Sequence, residues 1–485
     1  MGEIKTVYKG MNWNGFGAGA NPCEVDVKDG KIIRFRPADY YKYYDEETLG
    51  TWTFRRGDKE FKKLTREPLP PFAYAYQRRI YSKNRILYPL KREDWDPKGE
   101  RNPQNRGISK YVRISWDEAA QLIADEITRI KDTYGLPSIL IGGDGHGEDK
   151  NINAAHGCPT HLMDCLGDDW TFQIRQPDSW EGWYWGAKHM WGGVGFGQGD
   201  FGNTMKDTVE NCDMLLLWGC DMETTPWGWT GQSPSALCNF FTQIGIKQVY
   251  ICPDVNYGNA VHADKWIPIL PNTDAALQCA IAYIWMVEGT YEKDFVYSHA
   301  VGFDVFKDYI LGNEDGIPKT PEWASPICGV PVRQIKALAR QWVKQRTTIA
   351  HGNGGGMVRG AYSHEPARLE VCLMTMQGLY KPGCNDIKFI EWGMVGSPTQ
   401  QPMPPQAYWL NSHVCGHCYR FDKRKSFIPK TLIAQAIKGH YTAENPLKWH
   451  SFPLAPFARD DQYEEYQYPI PGAQPVHMYW TDTPC

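Results

Sequence analysis

Met214-Leu215-Leu216-Leu217-Trp218, followed by Gly219-Cys220-Asp221, is an apolar run that stops abruptly at a glycine and an acid. Five apolar residues without polar alternation read as a strand buried on both faces, the kind found in parallel sheets. The same grammar returns at Gln248-Val249-Tyr250-Ile251-Cys252 before Pro253-Asp254, and at Ser138-Ile139-Leu140-Ile141 before Gly142-Gly143-Asp144-Gly145-His146-Gly147-Glu148. It returns again at Thr347-Thr348-Ile349-Ala350 before His351-Gly352-Asn353-Gly354-Gly355-Gly356. Helical patterns over residues 274–287, 332–343 and 367–379 lie between or after these runs. Strands alternating with helices predict an α/β protein whose parallel sheets are covered on both faces. Ligands of such sheets sit at the carboxyl ends of the strands, where these glycine-rich turns lie.

Upstream, Ser115-Trp116-Asp117-Glu118 is a capping box that opens a helix, with Ala119, Leu122, Ile123, Ile127 and Ile130 on one face and an end near Gly135. The region before it reads as β-rich: Val25-Asp26-Val27 and Ile32-Ile33-Arg34-Phe35 flank Asp29-Gly30, a strong hairpin signal. Residues 41–106 are charged and proline-punctuated, and read as loop with short strands. After Leu379, Pro402, Pro404, Pro405, Pro453, Pro456, Pro469, Pro471 and Pro475 break any long element. The expected organisation is a β-rich domain at 1–110, the first part of an α/β domain at 111–205, a Rossmann-like nucleotide-binding domain at 206–346, and the second part of the α/β domain at 347–485.

Composition narrows the partners. The 485 residues carry 52 Lys+Arg against 56 Asp+Glu, a net charge of −4, with 42% hydrophobic residues. That balance excludes disorder and fibres, and it argues against tracking a phosphate backbone or a polybasic membrane anchor. No run approaches the roughly 20 apolar residues of a membrane helix, and the first residues carry no signal-peptide pattern, so the cytoplasm is the default compartment. Fourteen scattered cysteines read as mostly reduced, buried thiols. Aromatics reach 13%, with Trp170, Trp180, Trp183, Tyr184, Trp185 and Trp191 close together and Trp218, Trp227 and Trp229 following. Indoles can wall a deep pocket for a flat ligand, and they equally furnish the core of a large protein.

The candidate chemistry starts with the glycine turns, whose bare backbone amides can approach phosphate oxygens. None fits the dinucleotide fingerprint in register, and there is no Gly-Lys-Ser/Thr phosphate loop, so the carrier is neither plain NAD nor ATP. Cys415-Gly416-His417-Cys418 is a single C-x-x-C, open to structural, redox and metal readings. His146, among glycines directly off a strand, can face a pocket or serve the fold. Asp178-Ser179 before Trp180 can be a helix cap or a carboxylate and hydroxyl within aromatic walls.

In combination these stretches carry a resemblance. The run Cys212 to Asp221, then Cys252-Pro253-Asp254, then His262-Ala263-Asp264-Lys265-Trp266-Ile267-Pro268-Ile269-Leu270-Pro271-Asn272-Thr273-Asp274-Ala275-Ala276-Leu277, resembles the pterin-nucleotide region of the dimethyl-sulfoxide-reductase family of molybdenum and tungsten enzymes. Ile114-Ser115-Trp116-Asp117-Glu118-Ala119 is similar to the same family. Most members bind a [4Fe–4S] cluster through N-terminal cysteines, whereas only Cys23 precedes Cys158 here, so the expectation is no cluster in this chain. That departure, with Gly145-His146-Gly147-Glu148, Gln176-Pro177-Asp178-Ser179-Trp180-Glu181-Gly182-Trp183 and Ala407-Tyr408-Trp409, resembles the large subunits of the family's pyrogallol–phloroglucinol transhydroxylase branch.

The resemblance implies the molybdopterin-oxidoreductase fold and a bis(molybdopterin guanine dinucleotide) carrying Mo or W. It implies Ser179 as the metal's oxygen ligand and Asp178, His146 and Tyr408 as active-site residues. The cofactor would be held by Trp218, Gly219, Cys220, Asp221, Asp254, Pro271, Asp274, Asn353, Gly354 and Gly355. Carboxylates at strand and helix ends suit the N1–H and amino group of guanine. The implied activity moves a hydroxyl between polyhydroxylated benzenes, in anaerobic aromatic metabolism, as a heterodimer with an iron–sulfur small subunit. Alternatives are a reductive dehydroxylase of catechol-type aromatics on the same scaffold, a hydratase, and a thiol-disulfide protein using Cys415 and Cys418. Family members also carry a C-terminal β-barrel over the pterins. With none visible before Cys485, the expectation is an incomplete chain whose sequence continues downstream.

Overall fold

The structure is a computed structural model that describes residues 2–11, 21–49, 53–62, 78–142, 158–174, 186–187, 189–190, 204–223, 233–352, 360–379, 381–389, 426–451 and 464–481. The chain divides into two compact units, residues 1–73 with 177–408 and residues 74–176 with 409–485.

The first unit is built on a five-stranded sheet ordered Lys265–Ile267, Lys247–Ile251, Met214–Trp218, Thr347–Gly352, Asp386–Phe389. Every neighbouring pair is parallel, with Leu216 beside Val249 on one side and Ile349 on the other. Burial of the central strand follows its composition. Met214, Leu216 and Trp218 enter one hydrophobic core, while Leu215 and Leu217 enter another. The first core is closed by helices Asp274–Glu288, Val332–Trp342 and His364–Met376, the second by helix Ser233–Ile244 through Leu237, Phe240 and Phe241.

Helix Asp274–Glu288 is apolar nearly all round, as a helix enclosed by other helices must be. Trp285 meets Trp342 edge-on at 5.0 Å and donates its indole N–H to the Ala339 carbonyl at 2.8 Å. Each large side chain so buried contributes about 1.5–3 kcal/mol. Gly289, at φ +66°, ends the helix in the left-handed conformation that glycine adopts without cost.

The Thr347–Gly352 strand pairs with Met214–Trp218 in this five-stranded sheet. Ile349 and Ala350 are the apolar neighbours that Leu216 and Leu217 require on that side. The same unit holds the antiparallel sheet of Lys5–Met11, Asn21–Lys28 and Lys31–Pro37. Its hairpin turns at Asp29 (φ +50°) and Gly30 (φ +74°), both left-handed, as a two-residue hairpin turn demands.

The second unit carries a four-stranded parallel sheet ordered Phe427–Pro429, Thr171–Ile174, Ile139–Gly142, Met478–Thr481. Helix Trp116–Tyr134 precedes it. Ser115 caps the helix by accepting from the Glu118 amide at 3.0 Å, and Gly135 (φ +85°) closes it. Only its second half is covered: Ile127 and Ile130 join the core of Ile139, Ile141 and Phe172, whereas Ile123 is 44% exposed. The uniform apolar face expected from residue 119 onward is therefore used only where the sheet lies beneath it.

Candidate functional site

A parallel sheet brings the carboxyl ends of its strands to one edge. Here that edge gathers Gly219-Cys220-Asp221 after Trp218 and Cys252-Pro253-Asp254 after Ile251, with the Thr347–Gly352 strand ending at the same side. Gly219 stands at φ +60° and donates its amide to the Ile251 carbonyl at 2.9 Å. A side chain there would be strained, so the chain leaves the strand through a glycine and stays against its neighbour.

Asp221 Oδ1 accepts from the amides of Glu223 at 2.9 Å and Gly258 at 3.2 Å. Helix Tyr257–His262 can approach this closely only because position 258 lacks a side chain: a Cβ there would stand 2.8 Å from Asp221 Oδ1 and 3.2 Å from the Tyr250 ring. Asn256 caps the helix by accepting from the Asn259 amide. Asn259 in turn donates to the Asp254 carbonyl at 2.8 Å and to Cys252 Sγ at 3.2 Å. The main chain around Asp254 is thereby fixed, while its exposed carboxylate makes no hydrogen bond or ion pair with a described residue.

Asp274 behaves differently. It is buried, and its Oδ1 accepts the Trp218 indole N–H at 2.8 Å, tying the start of its helix to the end of the central strand. Burial pushes its carboxyl above the usual carboxylate range, against the pull of the Trp218 hydrogen bond. Pro271 is exposed in the turn just before, where Thr273 Oγ1 donates to the Leu270 carbonyl at 2.6 Å. Three thiols lie behind the edge: Cys220, Cys238 and Cys252 are all buried, and burial raises each of them. They pack as small apolar groups with little thiolate character.

The structure thus brings Trp218, Gly219, Cys220, Asp221, Asp254 and Asp274 to one end of one sheet. His146, Asp178, Ser179, Tyr408, Asn353, Gly354 and Gly355 lie outside the described residues, as do Cys415 and Cys418. Among the described residues no group of three or more His, Cys, Asp or Glu side chains is arranged to hold a metal. Cys23 is buried in the N-terminal sheet, donates Sγ–H to the Lys9 carbonyl at 3.3 Å, and has its thiol pushed up to about 11 by burial. No described helix is long and apolar enough to cross a membrane.

Sequence reading gave no individual role to Glu223, Gly258 or His262. His262 Nε2 and Glu223 Oε1 are 2.6 Å apart although 39 positions separate them in the chain. No local pattern announces such a pair. Only the fold juxtaposes the loop after one strand with the helix after the next.

Comparison with known proteins gives two family matches: "Pyrogallol hydroxytransferase large subunit-like, domain 1" over residues 21–79 and "Molybdopterin oxidoreductase" over residues 85–403. The pyrogallol hydroxytransferase large subunit of Pelobacter acidigallici is 34% identical over 499 residues, covering 95% of this chain and 55% of that protein. A trimethylamine-N-oxide reductase of Haemophilus influenzae is 27% identical over 90% of this chain and 49% of its own length. The chain spans about half the length of the curated relatives it matches. Among solved structures, acetylene hydratase from Pelobacter acetylenicus aligns with 68% of this chain and 41% of its own, at TM-score 0.42 and 19% identity.

Proposed function

The chain belongs to the molybdopterin oxidoreductase family, and on that premise we propose that it forms part of an enzyme transferring a hydroxyl between polyhydroxylated benzenes, as in conversion of pyrogallol to phloroglucinol. The observation that carries this reading is the likeness to a pyrogallol hydroxytransferase large subunit along nearly the whole chain.

The family cofactor is a molybdopterin with Mo or W, and the finer assignment is the bis(guanine dinucleotide) form. The described residues fit its nucleotide end. Gly219 leaves the strand end without a side chain, and Asp254 offers a carboxylate held by its backbone and unengaged by described neighbours. Asp254 would accept the guanine N1–H and amino group, a charge-assisted pair. Asp221 and Asp274, occupied by backbone amides and by Trp218, shape the loop and the helix start that flank it. Trp218, Cys220 and Pro271 border the same edge, and the glycines of Asn353-Gly354-Gly355 let backbone amides meet phosphate.

When bound, the group supplies two-electron redox chemistry. Ser179 would give the metal a hard oxygen ligand, with Asp178, its neighbour in sequence, supplying an acid. His146 and Tyr408 would exchange protons with the phenolic substrate, whose own pKa lies near 10. The chain pairs with a small subunit carrying iron–sulfur clusters, which supplies the route for reductive activation, and the assembly works in the cytoplasm.

Product analysis tests the reaction. The purified protein with its partner, given pyrogallol, a tetrahydroxybenzene as hydroxyl donor and no reductant, is expected to yield phloroglucinol while pyrogallol, on gaining the hydroxyl, regenerates the tetrahydroxybenzene. A strict need for one equivalent of reductant per ring, with loss of a hydroxyl, would assign reductive dehydroxylation in its place.

A further inference from the structure

The loop Gly219–Glu223 is held at three points beyond the strand it leaves. Asp221 takes the Gly258 amide, the Met222 carbonyl accepts from Ser235 Oγ at 2.8 Å, and Glu223 meets His262. The last of these is the strongest by geometry. His262 Nε2 lies 2.6 Å from Glu223 Oε1, and its ring is almost wholly buried, at 3% exposure. Its other nitrogen, Nδ1, faces Thr242 Oγ1 at 3.2 Å.

Thr242 Oγ1 accepts from Gln248 Nε2 at 2.9 Å, and its hydroxyl lies within reach of the Cys238 carbonyl at 3.1 Å and of His262 Nδ1 at 3.2 Å. One hydrogen lies between His262 Nε2 and Glu223 Oε1, so the contact joins the two side chains whichever of them carries it. Behind it, Gln248 Nε2 also donates to the Cys238 carbonyl at 3.0 Å, and the Gln248 backbone amide donates to Asp264 Oδ2 at 2.7 Å.

We propose that Glu223 and His262 are positioning residues for the pterin nucleotide, a latch that joins the loop bordering the cofactor to the helix after the neighbouring strand. The inference rests on the cofactor reading above and deepens it. Glu223 and His262 do not touch the nucleotide. They hold Asp221 and the backbone of residues 219–223 in the shape that receives it, so the bound group does not have to order that loop. A partner for a buried imidazole could instead be mere fold reinforcement, and the two roles differ in what they change.

The test uses the enzyme as isolated with its cofactor and follows release of pterin fluorescence under mild chaotrope, beside the melting temperature of each variant. Hydrogen bonds to charged groups are worth about 1.5–3 kcal/mol, so His262→Ala and Glu223→Ala are expected to release pterin on the order of 10- to 100-fold faster. His262→Gln keeps a donor near Nε2, and Glu223→Gln keeps an acceptor; each is expected to restore retention to within about threefold of the parent, a residual set by the lost charge assistance. Melting of the cofactor-free alanine variants should fall by the little that one buried hydrogen bond and ring account for, and the Gln variants should melt close to the parent. Parent-like release from the alanine variants overturns the latch alone. So does a fall in melting temperature that matches the release defect and is not rescued by Gln, which marks fold reinforcement. A parent protein that holds no pterin at all removes the cofactor reading and the latch with it.

Discussion

At the scale of single residues, the bond between Trp218 and Asp274 sets two opposing effects against each other. The indole donor satisfies a carboxylate that burial disfavours. Trp218→Phe removes the donor and leaves the acceptor buried, which should cost about 1–3 kcal/mol in denaturant unfolding. Asp274→Asn keeps an acceptor and removes the buried charge. Because burial raises the folded-state pKa of Asp274 above its ordinary 3.8, its contribution is fully present below that value and is lost as pH rises through the folded value. The Asn variant should therefore gain on the parent as pH climbs from about 4 toward neutral. A parent that loses nothing over that interval contradicts the assignment. Close approach is the second residue-scale constraint. A Cβ on Gly186 would stand 2.7 Å from His364 Cα and 2.8 Å from its carbonyl carbon, both backbone atoms that cannot swing aside. Gly186→Ala should destabilise by about 1–3 kcal/mol, as overpacking does, and calorimetry would read it.

At the scale of elements, the helix opening at Ser115 was fully legible. Its cap residue, its glycine stop and its length follow from local chemistry. How much of it is buried was not legible, since that depends on where the Ile139–Gly142 strand lies beneath it. Its polar side carries an ion pair that pattern could not foresee: Arg101 reaches Glu126 through both terminal nitrogens, at 2.7 and 2.8 Å, and Arg129 donates to the same carboxylate through Nε and Nη2, at 3.0 Å from Nη2. The Arg101 hydrogen bonds, with Arg129, hold the Glu126 carboxyl down to about 2 from an ordinary 4.5. A depressed folded-state pKa gives stability that is present above 4.5 and disappears as pH falls toward 2. Glu126→Gln should melt lower than the parent at neutral pH, and the difference should vanish by about pH 2. A difference that stays constant through acid would refute the pairing. The strands at Asp386–Phe389, Phe427–Pro429 and Met478–Thr481 escaped sequence reading because they are only three or four residues long. Their stability comes from partners remote in sequence, such as Met478 beside Ile139.

At the scale of the whole molecule, the three inner strands of the five-stranded sheet, Met214–Trp218, Lys247–Ile251 and Thr347–Gly352, were readable because a strand buried on both faces leaves a short apolar run. The candidate site was readable where residues mark strand ends, as Gly219, Asp221 and Asp254 do. It was opaque where two loops meet, as at Glu223 and His262. Buried thiols give a check on the folded core: among the described cysteines, Cys165 is exposed while Cys212, Cys220, Cys238, Cys279 and Cys328 are buried. Native protein should expose Cys165 to an aromatic disulfide reagent at once and release those five only on unfolding.

The central claim is that this chain holds a pterin nucleotide with Mo or W at the carboxyl edge of that sheet, and cofactor content tests it most directly. Acid hydrolysis of the purified protein should release guanine nucleotide together with a fluorescent pterin and a stoichiometric amount of molybdenum or tungsten, and Asp254→Ala should lower all three together. Protein that is folded yet yields neither metal, nor pterin fluorescence, nor guanine nucleotide would contradict the account.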